Sequence, residues 1–263
     1  MSDLDILLTN DDGIAAGGFH ALYDALSTVG SVTAVAPADD QSAVGRALSG
    51  SVTVRDHDLG HVIEGTPSDC VVAGLSTLVP ETDLVVAGCN NGANLGAAVL
   101  GRSGTVSAAV EAAFFDVPAI AVSMYIPVDS YSMGSDADIP RRQYGEAIRA
   151  ARYLTEHALD AGVFAEADYL NVNAPVASSA TGEMLITRPS NVYRMDAEQN
   201  GGTIELEDRI WELMARGDIP DAAGTDRRAI VDGHVSVSPL TAPHTTERHQ
   251  ALDALAETYP PTT

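Results

Sequence analysis

The first apolar stretch of the chain, residues 6–13 with the sequence Ile-Leu-Leu-Thr-Asn-Asp-Asp-Gly, constrains the fold more than any other. It predicts a buried strand whose carboxyl end opens into a turn. In open parallel sheets, ligands bind at that end of the strands. Asp11 and Asp12 would repel each other there unless protons or a cation neutralised them, and the hard cations Mg²⁺ and Mn²⁺ take such oxygen ligands. The alternative is a solvated loop before a helix N-cap, because Asp and Gly are ordinary turn residues.

Strands and helices are predicted to alternate along the chain. A strand at 4–9, a helix at 17–28 and a strand at 32–36 form a βαβ unit, which requires a parallel pair and a right-handed crossover. With 263 residues, one large α/β domain is favoured over two small ones. We therefore predict a Rossmann-like, mostly parallel sheet with helices on both faces. The remaining core elements are predicted as strands at 83–88, 118–123, 169–173 and 234–238, a hairpin at 52–63, and helices at 66–78, 106–115, 141–161 and 250–258.

The stretch at 181–225 differs from the rest, because its alternation is polar and β-like, with a turn at Gly201-Gly202 and a short helical piece at 210–215. Its few apolar residues need a surface to cover, since a short arm cannot bury them alone. We predict that it lies on another subunit of a homodimer or homotetramer. The predicted organisation is one domain over 1–263, made of a core at 1–180, a β-rich oligomerisation arm at 181–225, and a C-terminal strand and helix at 226–263 that return to the core.

The charge of the chain excludes two classes of partner. It has 37 acidic residues against 14 basic ones, a formal net charge of −23, and all of the basic residues are arginines. Such a surface argues against binding to nucleic-acid polymers or anionic membranes, and it is typical of a cytoplasm rich in salt. Two cysteines and the lack of a signal peptide or a long apolar run indicate a soluble, cytoplasmic protein.

Three polar loops follow three predicted strands, at 10–13, 39–45 and 90–96. In a doubly wound sheet these loops converge at the carboxyl edge. Together they offer carboxylates, a serine hydroxyl and asparagine amides, all oxygen donors, without a cluster of His or Cys. This set favours a hard divalent cation over zinc.

Two weaker candidates accompany the loops. Ser103-Gly104-Thr105 at a helix start is typical of an anion site, because free N–H groups and the helix dipole attract phosphate; a plain N-cap is the alternative. The seven histidines show no tight ligand spacing, and His244 or His249 is the candidate for donating a proton to a leaving group.

Taken in order, these loops resemble those of the SurE family of survival proteins, which are metal-dependent nucleotidases and phosphatases. The resemblance rests on Asn-Asp-Asp-Gly at 10–13, Gly-Thr-Pro-Ser-Asp-Cys at 65–70 and Asn-x-Gly-x-Asn-Leu-Gly at 90–96. Cys89 and Asn91 depart from the usual family loop, and the arm is diverged. The resemblance implies one divalent metal ion per subunit, Mg²⁺ or Mn²⁺, and two sets of site residues: metal ligands Asp11, Asp12, Ser42 and Asn90, and substrate or phosphate contacts Asn10, Asn94, Ser103, Gly104 and Thr105.

The implied reaction is hydrolysis of a nucleoside monophosphate, with Asp11 and Asp12 as the catalytic residues. A Mg²⁺-binding receiver domain of the signalling class is the alternative, because it also has paired acids after its first strand. It needs a lysine and a phosphoacceptor Asp after a later strand; this chain has no lysine, and the strand at 83–88 ends in Ala-Gly. Haloacid-dehalogenase phosphatases, P-loop NTPases and dinucleotide-binding oxidoreductases are disfavoured because their motifs are missing.

Overall fold

The computed structural model describes residues 4–127 and 139–244, which form a nine-stranded sheet and a separate hairpin. The sheet order is β3-β4-β2-β1-β5-β6-β7-β11-β8, and β9 pairs with β10 in the hairpin. All neighbours from β4 to β7 in this order are parallel, so the prediction of a mostly parallel sheet is confirmed. The strands are β1 (Leu4–Thr9), β2 (Gly30–Pro37), β3 (Thr53–His57), β4 (Gly60–Glu64), β5 (Leu84–Asn91), β6 (Ala119–Tyr125), β7 (Tyr169–Pro175), β8 (Met184–Ile186), β9 (Met195–Asn200), β10 (Thr203–Asp208) and β11 (Val235–Leu240).

Helices cover both faces of the sheet, as predicted. Successive side chains of a strand point to opposite faces, so the residues of β1 contribute to two hydrophobic cores, one on each face of the sheet. Ile6 and Leu8 pack with α1 and α5, whereas Leu7 packs with α2 and α4. The helices are α1 (Gly17–Leu26), α2 (Pro67–Ala73), α3 (Ala97–Leu100), α4 (Gly104–Phe114), α5 (Gly145–His157), α6 (Ile210–Ala215) and α7 (Asp226–Val231).

The start of α2 has the local chemistry expected from the sequence. Thr66 is the N-cap: its hydroxyl accepts a hydrogen bond from the Asp69 N–H, and the Asp69 carboxylate accepts one from the Thr66 N–H. Pro67 occupies the first helical position, where its missing N–H costs nothing. This reciprocal capping box fixes where the helix begins.

The edges of the sheet agree with the prediction on one side and differ from it on the other. The hairpin predicted at 52–63 is present as β3 and β4, and β4 also pairs with β2 in parallel. At the other edge, β11 is antiparallel to β7, and β8 pairs with β11. Met184–Ile186 therefore belongs to the central sheet, and the separate hairpin is only the 195–208 part of the predicted arm. Helices α3 and α7 were not predicted, since each is short.

The segment after the hairpin contributes its own small core, contrary to the expectation from its polar composition. Ile210 and Met214 of α6 are buried with Ile219, Leu95 and Tyr125. None of the described helices has the length and apolar character that crossing a bilayer requires. The predicted helix at 250–258 lies outside the described residues.

Candidate metal and phosphate site

The loop that follows β1 is the meeting point of the predicted site. Asp11 accepts a hydrogen bond at its carbonyl oxygen from the Gln41 N–H (2.7 Å), which comes from the loop after β2. The Oδ2 atom of Asp12 accepts one from the Asn91 N–H (3.0 Å) at the end of β5. These contacts form because β2 and β5 flank β1, so all three carboxyl ends lie at one edge. The predicted convergence of the loops is confirmed.

Asp11 is held in an enclosed position. Its side chain is 3% exposed, and its Oδ1 accepts a hydrogen bond from the Thr105 hydroxyl (2.6 Å). A Cβ on Gly104 would stand 2.7 Å from the Asp11 Cβ, so glycine is needed for the start of α4 to approach this carboxylate. Burial raises the pKa of Asp11, although hydrogen bonds from the Thr105 side chain and backbone lower it in part.

The surroundings of Asp11 fit a hard cation. Across residues 4–127 and 139–244, no arginine or histidine forms an ion pair with this carboxylate, and an ionised group buried without a partner is costly. Either a proton or a divalent ion therefore has to neutralise it. Because the described part of the chain also lacks any cluster of three His, Cys, Asp or Glu able to hold a metal, the ligands beyond the two adjacent aspartates would be neutral oxygens.

Ser42 and Asn90 supply neutral oxygens with suitable polarity. The Ser42 hydroxyl donates to Asp40 Oδ1 (2.6 Å), which leaves the lone pairs of its oxygen for a cation. The Asn90 side-chain nitrogen donates to the Gly92 carbonyl (2.6 Å), so the Asn90 side-chain oxygen takes no part in that hydrogen bond. A shift in the β5–β6 register between Ala87 and Asn90 marks the irregular backbone that carries this side chain. These two residues and the paired aspartates fit the donor set expected for Mg²⁺ or Mn²⁺.

The amino end of α4 lies against Asp11. Ser103 is the N-cap, and its Oγ accepts a hydrogen bond from the Val106 N–H (3.0 Å), while its contact with phosphate stays a prediction. Its own hydroxyl hydrogen is still available to donate to an anion. The Thr105 hydroxyl, by contrast, is fully buried and donates to Asp11, so Thr105 positions the carboxylate. Its direct contact with phosphate stays a prediction.

Asn10 and Asn94 support the loops from beneath. Asn10 is fully buried, and its side-chain nitrogen donates to the Gly13 carbonyl (2.7 Å), closing the first loop. The Asn94 side chain donates to Ser123 Oγ (2.8 Å), and its N–H donates to Asn173 Oδ1 (2.8 Å). Both residues hold the site in shape, and their direct contact with substrate stays a prediction.

Two residues that the sequence did not single out brace the third loop. Asp226 is fully buried and accepts a hydrogen bond from the Gly96 N–H (2.6 Å) and another from the Ser190 N–H (2.9 Å). Arg227 is also buried and donates to the carbonyls of Val192 and Leu95. Thr225 and Asp226 are residue types that favour a helix start, but nothing local indicates that the arginine after them is buried.

His244 lies away from the site within one chain. It lies two residues after Ala242, whose N–H donates to the Asp168 carboxylate (2.8 Å) at the amino end of β7. The site is at the carboxyl ends of the parallel strands, so this position is at the opposite edge of the sheet. His244 as a proton donor in its own subunit is therefore a wrong prediction, because β11 runs antiparallel to β7 and carries the chain away; His249 is outside the described residues.

Comparisons with known proteins agree with this geometry. The family model described as Survival protein SurE matches residues 6–196. The chain is 68% identical to a 5′-nucleotidase SurE of Haloarcula marismortui, over 99% of this chain and 97% of that protein. It is 62% identical to a 5′-nucleotidase SurE of Haloquadratum walsbyi, over 97% of each. The crystal structure of a SurE protein from Aquifex aeolicus matches with a TM-score of 0.75 and 28% identity, covering 97% of this chain and 99% of that one.

Proposed function

The chain belongs to the SurE family, and from that premise we propose how it works as a metal-dependent 5′-nucleotidase. It hydrolyses nucleoside monophosphates to a nucleoside and inorganic phosphate. The observation that carries the assignment is the buried Asp11 carboxylate, which lacks a protein cation among the described residues and lies where three loops and a helix start meet. The signalling alternative has no such support.

Asp11, Asp12, Ser42 and Asn90 are the residues that would hold the ion. We assign one Mg²⁺ or Mn²⁺ ion to each subunit, because carboxylate, hydroxyl and amide oxygens suit a hard cation. The chemistry that such an ion supplies is polarisation of a phosphoryl oxygen and a lower pKa for water. Asp40 and Gly92 orient two of the ligands by accepting their hydrogens.

The aspartates also have a part in the proton chemistry. Asp12 is half-buried and held by the Asn91 N–H, whereas Asp11 is enclosed and held by Thr105. One of these carboxylates orients or deprotonates the attacking water. A nucleoside alkoxide is a poor leaving group, so it has to be protonated as it departs.

The phosphate is placed at the start of α4. The helix dipole and the Gly104 N–H favour negative charge there, and Ser103 has a hydroxyl hydrogen to donate. Donors that are already oriented stabilise charge on the equatorial oxygens at no reorganisation cost during the reaction. In this arrangement Asn94 and Thr105 keep the phosphate loops rigid.

The net charge of the chain and the arm at 181–225 support assignments of localisation, oligomeric state and partners. We assign the enzyme to the cytoplasm, as a homodimer or homotetramer that binds neither nucleic-acid polymers nor membranes. The acidic surface supports the two exclusions. The exposed hairpin supports self-association, since Ile204 and Leu206 of β10 are 61% and 72% exposed.

A phosphate-release panel tests the function. Purified protein in molar KCl is assayed on a set of nucleoside monophosphates, first with EDTA and then with Mg²⁺ or Mn²⁺ restored separately. We expect no release with EDTA and recovery with at least one of the two ions. Release that persists in full after exhaustive chelation, or no release from any nucleoside monophosphate with either ion, contradicts the assignment.

A further inference from the structure

A cavity opens directly beside the loop at 90–96, called here the metal loop because it carries the proposed ligand Asn90. The chemistry described above does not use this cavity. Its volume is about 760 Å³, within the range of small-molecule sites. Gly92 and Ala93 form one wall, and the Gly92 carbonyl is the group that accepts the Asn90 side-chain hydrogen. Because only two residue steps separate Asn90 from Gly92, their Cα atoms lie within about 7 Å of each other. The cavity therefore begins within a nucleotide's length of the metal ligands.

An aromatic pair forms part of the cavity wall. The Tyr125 and Trp211 rings are nearly parallel, with centroids 6.5 Å apart and planes at 18°. Tyr125 ends β6, and Trp211 is on α6, whose Ile210 and Met214 are buried in the small core beneath. Both rings are thus fixed by rigid elements, and flat aromatic surfaces of this kind stack on nucleobases whatever the base sequence.

The charges of the cavity decide which part of a nucleotide enters it. Its charged lining consists of Glu207, Asp208, Glu212 and Arg216, and Arg216 is already paired with Glu212. This excess of acid repels a phosphate group, whereas a neutral base is not repelled. The amino groups of bases are hydrogen-bond donors, and carboxylates accept from such groups. The phosphate end is therefore directed to the metal loop and the base to the cavity.

We propose that this cavity is the base-binding part of the active site and that Trp211, with Tyr125 beside it, is a specificity-determining residue that stacks on the base of the nucleoside monophosphate. The proposal rests on the nucleotidase function proposed above. It makes the enzyme favour nucleotides over phosphate esters that carry no base, because only nucleotides gain the stacking contact.

The kinetic test compares AMP with ribose 5-phosphate, which has the same sugar and phosphate but no base. For Trp211→Ala we expect the ratio of kcat/KM for AMP to that for ribose 5-phosphate to fall about tenfold or more, the scale of losing one base stack. Trp211→Phe should keep most of the ratio. Tyr153→Ala, which removes an exposed aromatic ring on α5 outside the cavity, is the matched control and should leave it unchanged.

A binding test needs no catalysis and no variant. Trp211 is the single tryptophan of the chain, so its fluorescence reports this cavity alone. Adenosine added to the wild-type protein in EDTA should change the emission in a saturable way, and ribose should not. A folded Trp211→Ala variant with an unchanged ratio, or wild-type emission that does not respond to adenosine, overturns the proposal. Failure of the nucleotidase function has a different signature, since the wild type would then release phosphate from neither ester.

Discussion

The two adjacent aspartates of the first loop have different surroundings. Asp11 points into the protein, where Thr105 donates to it and Gly104 packs against it. Asp12 is half-buried and is held by the Asn91 N–H. Both residues lie in the bend that follows β1, so their side chains contact different neighbouring elements. A single dipeptide thereby connects the loop to both α4 and β5.

Replacing Asp11 by Asn is the sharpest test at the residue scale. We expect phosphate release to fall by more than about a hundredfold, since loss of a group that merely orients a metal ligand already costs about ten- to a hundredfold. The thermal midpoint of the metal-free protein should hold or rise, because burial raises the pKa of Asp11 and an ionised carboxylate there is unfavourable.

Phosphate release at saturating metal checks the expected loss of activity. Calorimetry on the metal-free protein checks the expected thermal midpoint. Asp58→Asn, on an exposed turn, is the matched control and should change neither. Asn90→Ala should act in the same direction as Asp11→Asn but less severely, because it removes a neutral ligand. Turnover of Asp11→Asn near the wild-type value at saturating metal would contradict the role given to this carboxylate.

At the scale of elements, the start of α2 shows a cap that also binds a neighbouring loop. The Thr66 hydroxyl donates to the Ala47 carbonyl (2.7 Å), and the Asp69 carboxylate accepts from the N–H and hydroxyl of Ser49. The capping box thus ties the segment before β3 to the helix that packs against α4. Loss of the capping box should destabilise this side of the sheet and should not affect the proposed metal ligands.

For Thr66→Ala we expect a loss of about 1 kcal/mol in the free energy of unfolding, the usual cost of removing such a cap. For a protein of this size that lowers the thermal midpoint by about 2–4 °C. Thr66→Ser keeps the hydroxyl and should stay near the wild type. Calorimetry measures the difference, and equal midpoints for the Ala and Ser variants would show that the cap contributes nothing.

The same cap predicts a pH dependence. Burial raises the pKa of Asp69, but hydrogen bonds from Ser49 and Thr66 outweigh it and hold the pKa below the ordinary value of 3.8. A carboxyl with a lower pKa in the folded state adds stability above its unfolded pKa, and this stability is lost as the pH falls through the folded pKa. The wild type should therefore be more stable than Asp69→Asn at neutral pH, and the difference in their free energies of unfolding should shrink as the pH drops below about 3.8. A difference that stays constant from neutral pH to that range would exclude this linkage.

At the scale of the whole molecule, the hairpin of β9 and β10 leaves apolar side chains uncovered. Ile204 is 61% exposed and Leu206 is 72% exposed. Both lie on the same face of β10, since they are two residues apart. Ile210, predicted to need cover as well, is buried within its own chain.

We expect the protein to be at least a dimer in high salt and Ile204→Ser to shift it towards monomer. Leu48→Ser is the matched control, because Leu48 is also 61% exposed but lies outside the hairpin. Light scattering gives the mass of each. A wild-type protein that is a stable and active monomer in high salt would rule out the arm as an oligomerisation element.

The acidity of the chain predicts a dependence on salt. With 37 acidic against 14 basic residues, most carboxylates cannot find a cation and repel one another over roughly 10 Å at low ionic strength. We expect activity and the thermal midpoint to rise from about 0.1 M to about 2 M KCl, as screening shortens that range. The oligomer should dissociate first on dilution into low salt. A midpoint that is flat or falls as KCl is raised would point to another cause for the acidity.

Local pattern was enough to predict the elements of the core and the loops of the site. The apolar run before Asp11, the helical spacing of α1 and the cap at Thr66 are each decided by neighbouring residues, so the sequence alone determined them. The alternation of strand and helix then determined a parallel sheet, and a parallel sheet brings the carboxyl ends of its strands to one edge. The metal-ligand set of Asp11, Asp12, Ser42 and Asn90 stays a prediction: the resemblance to the SurE family implied it, and its members lie at or after the carboxyl ends of β1, β2 and β5.

Only the tertiary structure decided what surrounds those ligands. Asp11 and Thr105 are 94 residues apart, and Gly96 and Asp226 are 130 apart, so no local pattern connects them. In the tertiary structure Thr105 donates a hydrogen bond to Asp11, and Arg227 is buried against the loop at 90–96. Strand β8 pairs within the central sheet, and His244 lies at the edge opposite the site. The physical reason is that burial and hydrogen-bond partners depend on which elements pack together, whereas the period of a strand or helix depends on the residues next to it.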